Sequence, residues 1–150
     1  MSVNLGAGCL LTNSEGEYLL IQEAKEHVKG KWNLPSGGFS KAEEDHEETI
    51  REAAVRETRE ETGLEVEVEG LIGIYVREAE RTDKKNVNIF FEASEIGGEL
   101  GEVEEGEIID AKYFSREELK NLELRFDLVK VIDDFERYGS QKANIRELDF

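Results

Sequence analysis

Ile50-Arg51-Glu52-Ala53-Ala54-Val55-Arg56-Glu57-Thr58-Arg59-Glu60-Glu61-Thr62-Gly63-Leu64 reads as the end of a helix whose apolar face turns acidic. The interior is rich in Ala, Glu and Arg, Ser40 with Glu43 fits a capping box, and Gly63 fits a C-terminal stop, so the helix is expected over residues 40–62. At about 100° per residue with Glu57 at zero, Ile50 falls near +20°, Ala53 near −40° and Ala54 near +60°. Glu60 falls near −60° and Glu61 near +40° on the same scale, so the three carboxylates continue the stripe that should meet a sheet. A solvated helix face stitched by ion pairs accounts for Arg51, Glu52 and Arg59. It does not account for three like charges on the buried stripe, where something positive is expected among them. Carboxylates without His or Cys suit a hard divalent cation, Mg²⁺ or Mn²⁺, which takes oxygen ligands and exchangeable waters.

The chain has 150 residues and a net charge of −17, from 36 acidic and 19 basic side chains. The charge is local: nine acids face three bases over residues 43–61, and six acids face no base over residues 99–110. Those 31 residues carry −12 of the −17, so a uniformly acidic surface does not explain it. A chain of this sign repels polyanions, so nucleic-acid polymers and anionic membranes are not expected partners. Seven Phe and 38% hydrophobic content argue against a disordered acidic segment. One cysteine, Cys9, allows no internal disulfide and fits a reducing compartment. With no visible leader and no membrane-length apolar run, a cytoplasmic protein of one domain, residues 1–150, is the expectation.

Outward from the helix, residues 3–12 and 18–21 flank the turn signal Asn13-Ser14-Glu15-Gly16 and read as a hairpin. Strands are expected at 64–77, 87–93 and 108–114. Ser115 to Glu118 opens a short helix with a capping box, and residues 127–138 form an amphipathic helix with Leu128, Val131, Ile132 and Phe135 on one face. Strands, helix, strands and helices in that order indicate an α+β sandwich with a mixed sheet.

Gly37-Gly38, then Glu48, then Arg56-Glu57-Thr58-Arg59-Glu60-Glu61-Thr62-Gly63-Leu64 resembles the signature of the Nudix (MutT-like) hydrolases, in which Gly is followed by Glu and then by Arg-Glu-x-x-Glu-Glu-x-Gly-apolar. Seven residues separate Glu48 from Arg56, as in that pattern. The segments 32–38, 88–93 and 108–119 also resemble their counterparts, so the similarity covers most of the chain. It implies an α/β/α sandwich and a Mg²⁺- or Mn²⁺-dependent pyrophosphohydrolase acting on a small nucleotide, a nucleoside triphosphate or an ADP-ribose-like compound. By the same resemblance Glu57, Glu60 and Glu61 hold the metal and position or activate water, with the Gly37 or Gly38 carbonyl completing the coordination. Arg56 and Glu48 form the supporting ion-pair network. The resemblance also implies a further acid outside the signature as base or ligand, and Glu104, Glu105 and Glu107 offer one, Glu105 being the candidate, although a solvated acidic loop is the commoner use of any one of them. The family often dimerises, so a homodimer is compatible with it.

Two positions depart from the pattern. Thr58 stands where the family usually has an apolar residue. Gly38 lies ten residues before Glu48, and Ala42 occupies the usual glycine position, as though four residues had been inserted within 39–47. Four residues add about one helical turn, roughly 6 Å, or enlarge a loop.

His46-Glu47-Glu48-Thr49-Ile50 fails the zinc motif because Ile50 replaces its second His. Gly6-x-Gly8 lacks the third glycine of a dinucleotide fingerprint, and Cys9 reads as core. Trp32 and Phe39 flank the glycine turn; packing is the commoner use of such aromatics, and stacking on a base is the functional one. A nucleotide-binding module without turnover is the alternative to the hydrolase.

Overall fold

Two runs of apolar residues, around Leu10 and around Phe90-Phe91, put successive side chains on opposite faces of a sheet, so both faces must be covered. The computed structural model describes residues 2–38, 48–78, 83–101, 103, 106, 108–126 and 128–143. Within these, the order is β1 (Ser2–Leu10), β2 (Tyr18–Glu23), β3 (Trp32–Asn33), β4 (Ser36–Gly38), α1 (Ile50–Thr62), β5 (Leu64–Glu78), β6 (Lys84–Gly98), β7 (Ile108–Phe114) and α2 (Leu128–Tyr138). Short 3-10 turns lie at Glu26–Val28 and Glu118–Asn121.

One sheet has the order β4-β1-β6-β5, and a smaller one has β3-β2-β7. β1 runs parallel to β6, while β1/β4 and β5/β6 are antiparallel, so the larger sheet is mixed. The expected hairpin of residues 3–12 with 18–21 is corrected here. β1 and β2 belong to different sheets, and their arms pair only beside the turn, through the Thr12–Tyr18 bridge and the Leu19 N–H donating to the Leu11 carbonyl. The turn signal at residues 13–16 is real, with Asn13 Oδ1 accepting from the Glu15 and Glu17 amides. Turn chemistry reverses the chain but does not decide which sheet each arm joins.

Alternation separates the core into two layers. Leu10, Leu20, Phe90 and Phe114 pack with Leu128, Val131 and Ile132 of α2. Cys9, Leu11, Leu19 and Phe91 pack with Ala53 and Ala54 of α1. Each fully buried Leu, Ile or Phe contributes about 1.5–3 kcal/mol, so the first layer fixes α2 and the second fixes α1 against the sheet. The fold is the α/β/α sandwich expected.

α1 begins at Ile50, ten residues after the expected start at Ser40. Thr49 is its N-cap, with extended backbone (φ −76°, ψ 163°), its hydroxyl accepting from the Glu52 amide and the Glu52 carboxylate accepting from the Thr49 amide. Thr49-x-x-Glu52 is therefore the capping box of α1. Ser40, Glu43 and the insertion lie outside the described residues. The C-terminal end is as expected: Gly63 is left-handed at φ 84° and its N–H donates to the Arg59 carbonyl. The box at Ser115 and Glu118 forms in both directions.

Candidate active site

Burial of the acidic stripe follows from the helix phase. Arg51, Glu52 and Arg59 face solvent, whereas Glu61 is buried and the side chains of Glu57 and Glu60 are 12% and 30% exposed. The positive group among them is Arg56. Its Nε lies 2.5 Å from Glu48 Oε2 and its Nη2 donates to Glu48 Oε1 at 2.9 Å, a bidentate pair. Its Nη1 donates to Glu57 Oε1 at 3.0 Å and to Glu60 Oε2 at 3.2 Å. The hydrogen bond to Glu48 first, then the charges of Glu57 and Glu48, hold the guanidinium proton more tightly than usual and outweigh the opposing effect of burial. Arg56 thus spaces three carboxylates that would otherwise repel one another.

Buried Thr58, the departure from the family pattern, is accommodated by its own hydroxyl, which donates to the Ala54 carbonyl at 2.8 Å. Burial also pushes the Cys9 thiol up to about 11, against a smaller opposing effect of its hydrogen bond with Thr58.

β4 faces this cluster. Cys9 N–H donates to the Pro35 carbonyl, and the register pairs Ala7 with Gly37 and Gly8 with Ser36. Hydrogen-bonded pairs alternate along an antiparallel ladder, so Gly37 turns its amide and carbonyl towards β1 while Ser36 and Gly38 turn theirs away. In agreement, the Ser36 amide donates to Glu61 Oε1 at 2.8 Å and the Gly38 carbonyl accepts from Arg56 Nη2 at 3.3 Å. Gly37 has its own role. A Cβ there would lie 2.1 Å from Glu57 Cδ, so the absent side chain is the space the Glu57 carboxylate occupies.

The donors gathered here are all oxygen: three carboxylates and an outward glycine carbonyl. That chemistry fits a hard divalent cation, as does the cradle that a Cβ at Gly37 would fill. Among the described residues no three His, Cys, Asp or Glu side chains are already arranged to hold a metal ion, and Arg56 bonds the Glu57 and Glu60 carboxylates.

Ser36, Gly37, Gly38 and Glu61 line one end of a cleft. A cavity of about 220 Å³ there shares Asn33, Ser36, Asn88 and Phe126 with a larger one of about 560 Å³, walled by Tyr75, Arg77, Phe90, Lys130 and Val131. The larger space is within the usual range for a drug-sized ligand.

A family model described as the NUDIX domain matches residues 3–135. The chain belongs to the Nudix family. It is 35% identical over 129 residues to an ADP-ribose pyrophosphatase of Methanocaldococcus jannaschii, covering 85% of this chain and 70% of that protein. It is 33% identical over 129 residues to the 8-oxo-dGDP phosphatase NUDT18 of Danio rerio, covering 84% of this chain and 36% of that longer protein. A Nudix hydrolase structure from Nitrosomonas europaea superposes with a TM-score of 0.84 at 23% identity, covering 97% of both chains, and so shares the fold. Nudix hydrolases generally use a divalent metal.

In this Nudix domain Arg56, Glu48, Glu57 and Glu60 form one network, the Arg56–Glu48 pair being the one that the family resemblance implies, and Glu61 of the same helix sits beside it, accepting from Ser36 of β4. Phe39 and the acids Glu104, Glu105 and Glu107 lie outside the described residues. Trp32, the other aromatic considered for base stacking, is core instead: it is 9% exposed and meets Phe114 edge-on at 4.7 Å. Arg77, Asn88, Arg125 and Phe126 were missed by sequence reasoning. Arg77 and Asn88 reach the cleft through the pairing of β5 with β6, and Arg125 and Phe126 through the segment clipped onto β3 ahead of α2, so no local pattern marks them.

Proposed function

We propose that this Nudix domain hydrolyses the diphosphate linkage of a small nucleotide, a nucleoside di- or triphosphate or an ADP-ribose-like compound, with Mg²⁺ or Mn²⁺ as cofactor. The observation that carries this reading is the acidic end of α1, buried against β4 and opening through Glu61 and Gly38 into a nucleotide-sized cleft. Glu57, Glu60 and Glu61, with the outward Gly38 carbonyl, would hold the cation. When bound, such a cation supplies positive charge to phosphate oxygens and lowers the pKa of water.

The chain's own residues do the remainder. Arg56, anchored by Glu48, fixes Glu57 and Glu60. Glu60, the most exposed of the three acids, takes the proton of the attacking water on a carboxylate oxygen. The water oxygen bonds to phosphorus, the bridging P–O bond breaks, and the departing phosphate leaves with the bond's electron pair. For ADP-ribose the products are AMP and ribose 5-phosphate; for 8-oxo-dGDP they are 8-oxo-dGMP and phosphate.

Both compounds, the activities named for its relatives, belong in one panel with Mg²⁺, Mn²⁺ or chelator, the products being identified by mass. Cleavage of at least one, abolished by chelator, is expected. A second reading, a nucleotide-binding module without turnover, draws on Arg56 standing among the carboxylates as their cation. Binding of both compounds without product under either metal would favour it and overturn the hydrolase.

A further inference from the structure

Among the described residues, Phe126 is the one non-glycine with left-handed backbone, φ 55°. A bulky side chain rarely takes that conformation unless its surroundings impose it. The imposing contacts are visible. Trp32 N–H donates to the Glu123 carbonyl and Arg125 N–H to the Trp32 carbonyl, each at 2.8 Å, which clips residues 123–125 onto β3. Arg125 Nη1 also lies 3.3 Å from Glu23 Oε1 on β2. The chain then turns at Phe126 and enters α2 at Leu128.

The turn leaves the Phe126 ring 38% exposed and on the wall of both cavities. The guanidinium carbons of Arg77 and Arg125 lie 4.6 and 4.3 Å from its centroid, within cation–π range. Among the described residues no carboxylate pairs with Arg77, in a chain with 36 acidic and 19 basic side chains. Arg77 stands on β5 opposite Asn86 of β6, one step along the same face from Tyr75 opposite Asn88. Phe90, Leu128 and Val131 supply apolar lining beside it, and Asn33 and Asn88 supply amides.

We propose that Phe126 and Arg77 form the platform on which the nucleobase of the substrate stacks, with the diphosphate directed to the Gly38 and Glu61 end; the inference rests on the hydrolase reading for that second half. A phosphate would need the cations but not the apolar wall. A flat heteroaromatic ring with a polar edge uses all three: ring and guanidinium planes for its face, aliphatic side chains for its rim, and amides for its edge. Phe126 and Arg77 are thus specificity-determining groups outside the family signature.

AMP and ribose 5-phosphate, which differ by the base alone and contain no anhydride to cleave, are the probes. Their binding is measured by calorimetry on the full chain and on Phe126→Asn, Phe126→Ala and Arg77→Met. Asparagine accepts left-handed backbone, so Phe126→Asn removes the ring without adding strain, and an unchanged thermal midpoint confirms its fold. Loss of a stacked base is expected to weaken AMP about tenfold or more in the Phe126 variants, and in the same direction in Arg77→Met, with ribose 5-phosphate unchanged. Equal weakening of both probes would show a phosphate subsite and overturn the proposal, as would unchanged AMP binding or an unsubstituted chain that binds the two alike. If AMP binding depends on Phe126 but the nucleotide panel shows no cleavage, the hydrolase reading fails and the platform stands. If cleavage occurs and AMP binding ignores Phe126, the reverse holds.

Discussion

Gly37→Ala inserts one methyl group where the structure has a carboxylate. The new Cβ would lie 2.1 Å from Glu57 Cδ and 2.3 and 2.4 Å from its two oxygens. Ordinary contact between such atoms is about 3.5 Å, so the Glu57 carboxylate must withdraw by more than about 1 Å. It is the far end of a flexible side chain, and its withdrawal relieves the clash, so the stability loss is small, about 1 kcal/mol. That corresponds to a midpoint shift of about 2–4 °C for a chain of this size. Catalysis is less forgiving. Glu57 gives up its 3.0 Å bond from Arg56 and its place beside β4, and a displacement of about 1 Å in a reacting group costs on the order of a hundredfold in rate. Gly38→Ala is the control, because among the described residues nothing lies within 4 Å of a Cβ there. The assay is kcat/KM for ADP-ribose with Mg²⁺, beside thermal melts of both variants. Gly37→Ala should lose about two orders of magnitude while Gly38→Ala stays close to the unsubstituted chain. Equal activities in the two variants would refute the assignment of Gly37 as the space for Glu57.

Thr49→Ala removes the N-cap of α1 and should cost about 1 kcal/mol, read as a lowered thermal midpoint. Glu48→Gln takes the bidentate partner from Arg56, a group about a third exposed, and should cost about 1–2 kcal/mol in denaturant melts, with kcat reduced because Glu57 and Glu60 lose their fixed partner. Cys9 keeps its proton in the folded state up to a pKa of about 11, against an ordinary value of 9.0. Both states are protonated below pH 9, the unfolded thiol ionises first above it, and stability should fall by about 2–3 kcal/mol through pH 11, a loss absent in Cys9→Ala. Millimolar Mg²⁺ should raise the thermal midpoint of the unsubstituted chain by mass action and leave Glu57→Gln unmoved, and equal midpoints with and without metal in the unsubstituted chain would contradict cation binding.

The features legible in sequence are those carried by local spacing. The phase of Ile50, Ala53 and Ala54 already placed Glu57, Glu60 and Glu61 on the buried side, and Gly63 already marked the stop. The start of α1 was not legible, because Thr49 with Glu52 has the same spacing as Ser40 with Glu43, and spacing alone does not say which pair caps this helix. The split of β1 and β2 between two sheets is likewise long-range: the turn at Asn13 is the same whichever partners its arms take. Trp32 shows the same limit for single residues. Beside a glycine turn it suits packing more often than stacking, and what decides is Phe114, 82 residues away in sequence, which meets its edge. Phe126 stood in no motif, and its importance lies in a backbone torsion and in guanidiniums from β5 and its own neighbour.

Glu60→Gln removes a negative charge from an accessible side chain with little change in shape. Its rate of Mg²⁺-dependent release of AMP from ADP-ribose, or of 8-oxo-dGMP from 8-oxo-dGDP, should fall on the order of a hundredfold or more, as expected for loss of a general base, at an unchanged thermal midpoint. Cleavage of these nucleotides by Glu60→Gln at the unsubstituted rate would contradict the role of the acidic end of α1 in the chemistry.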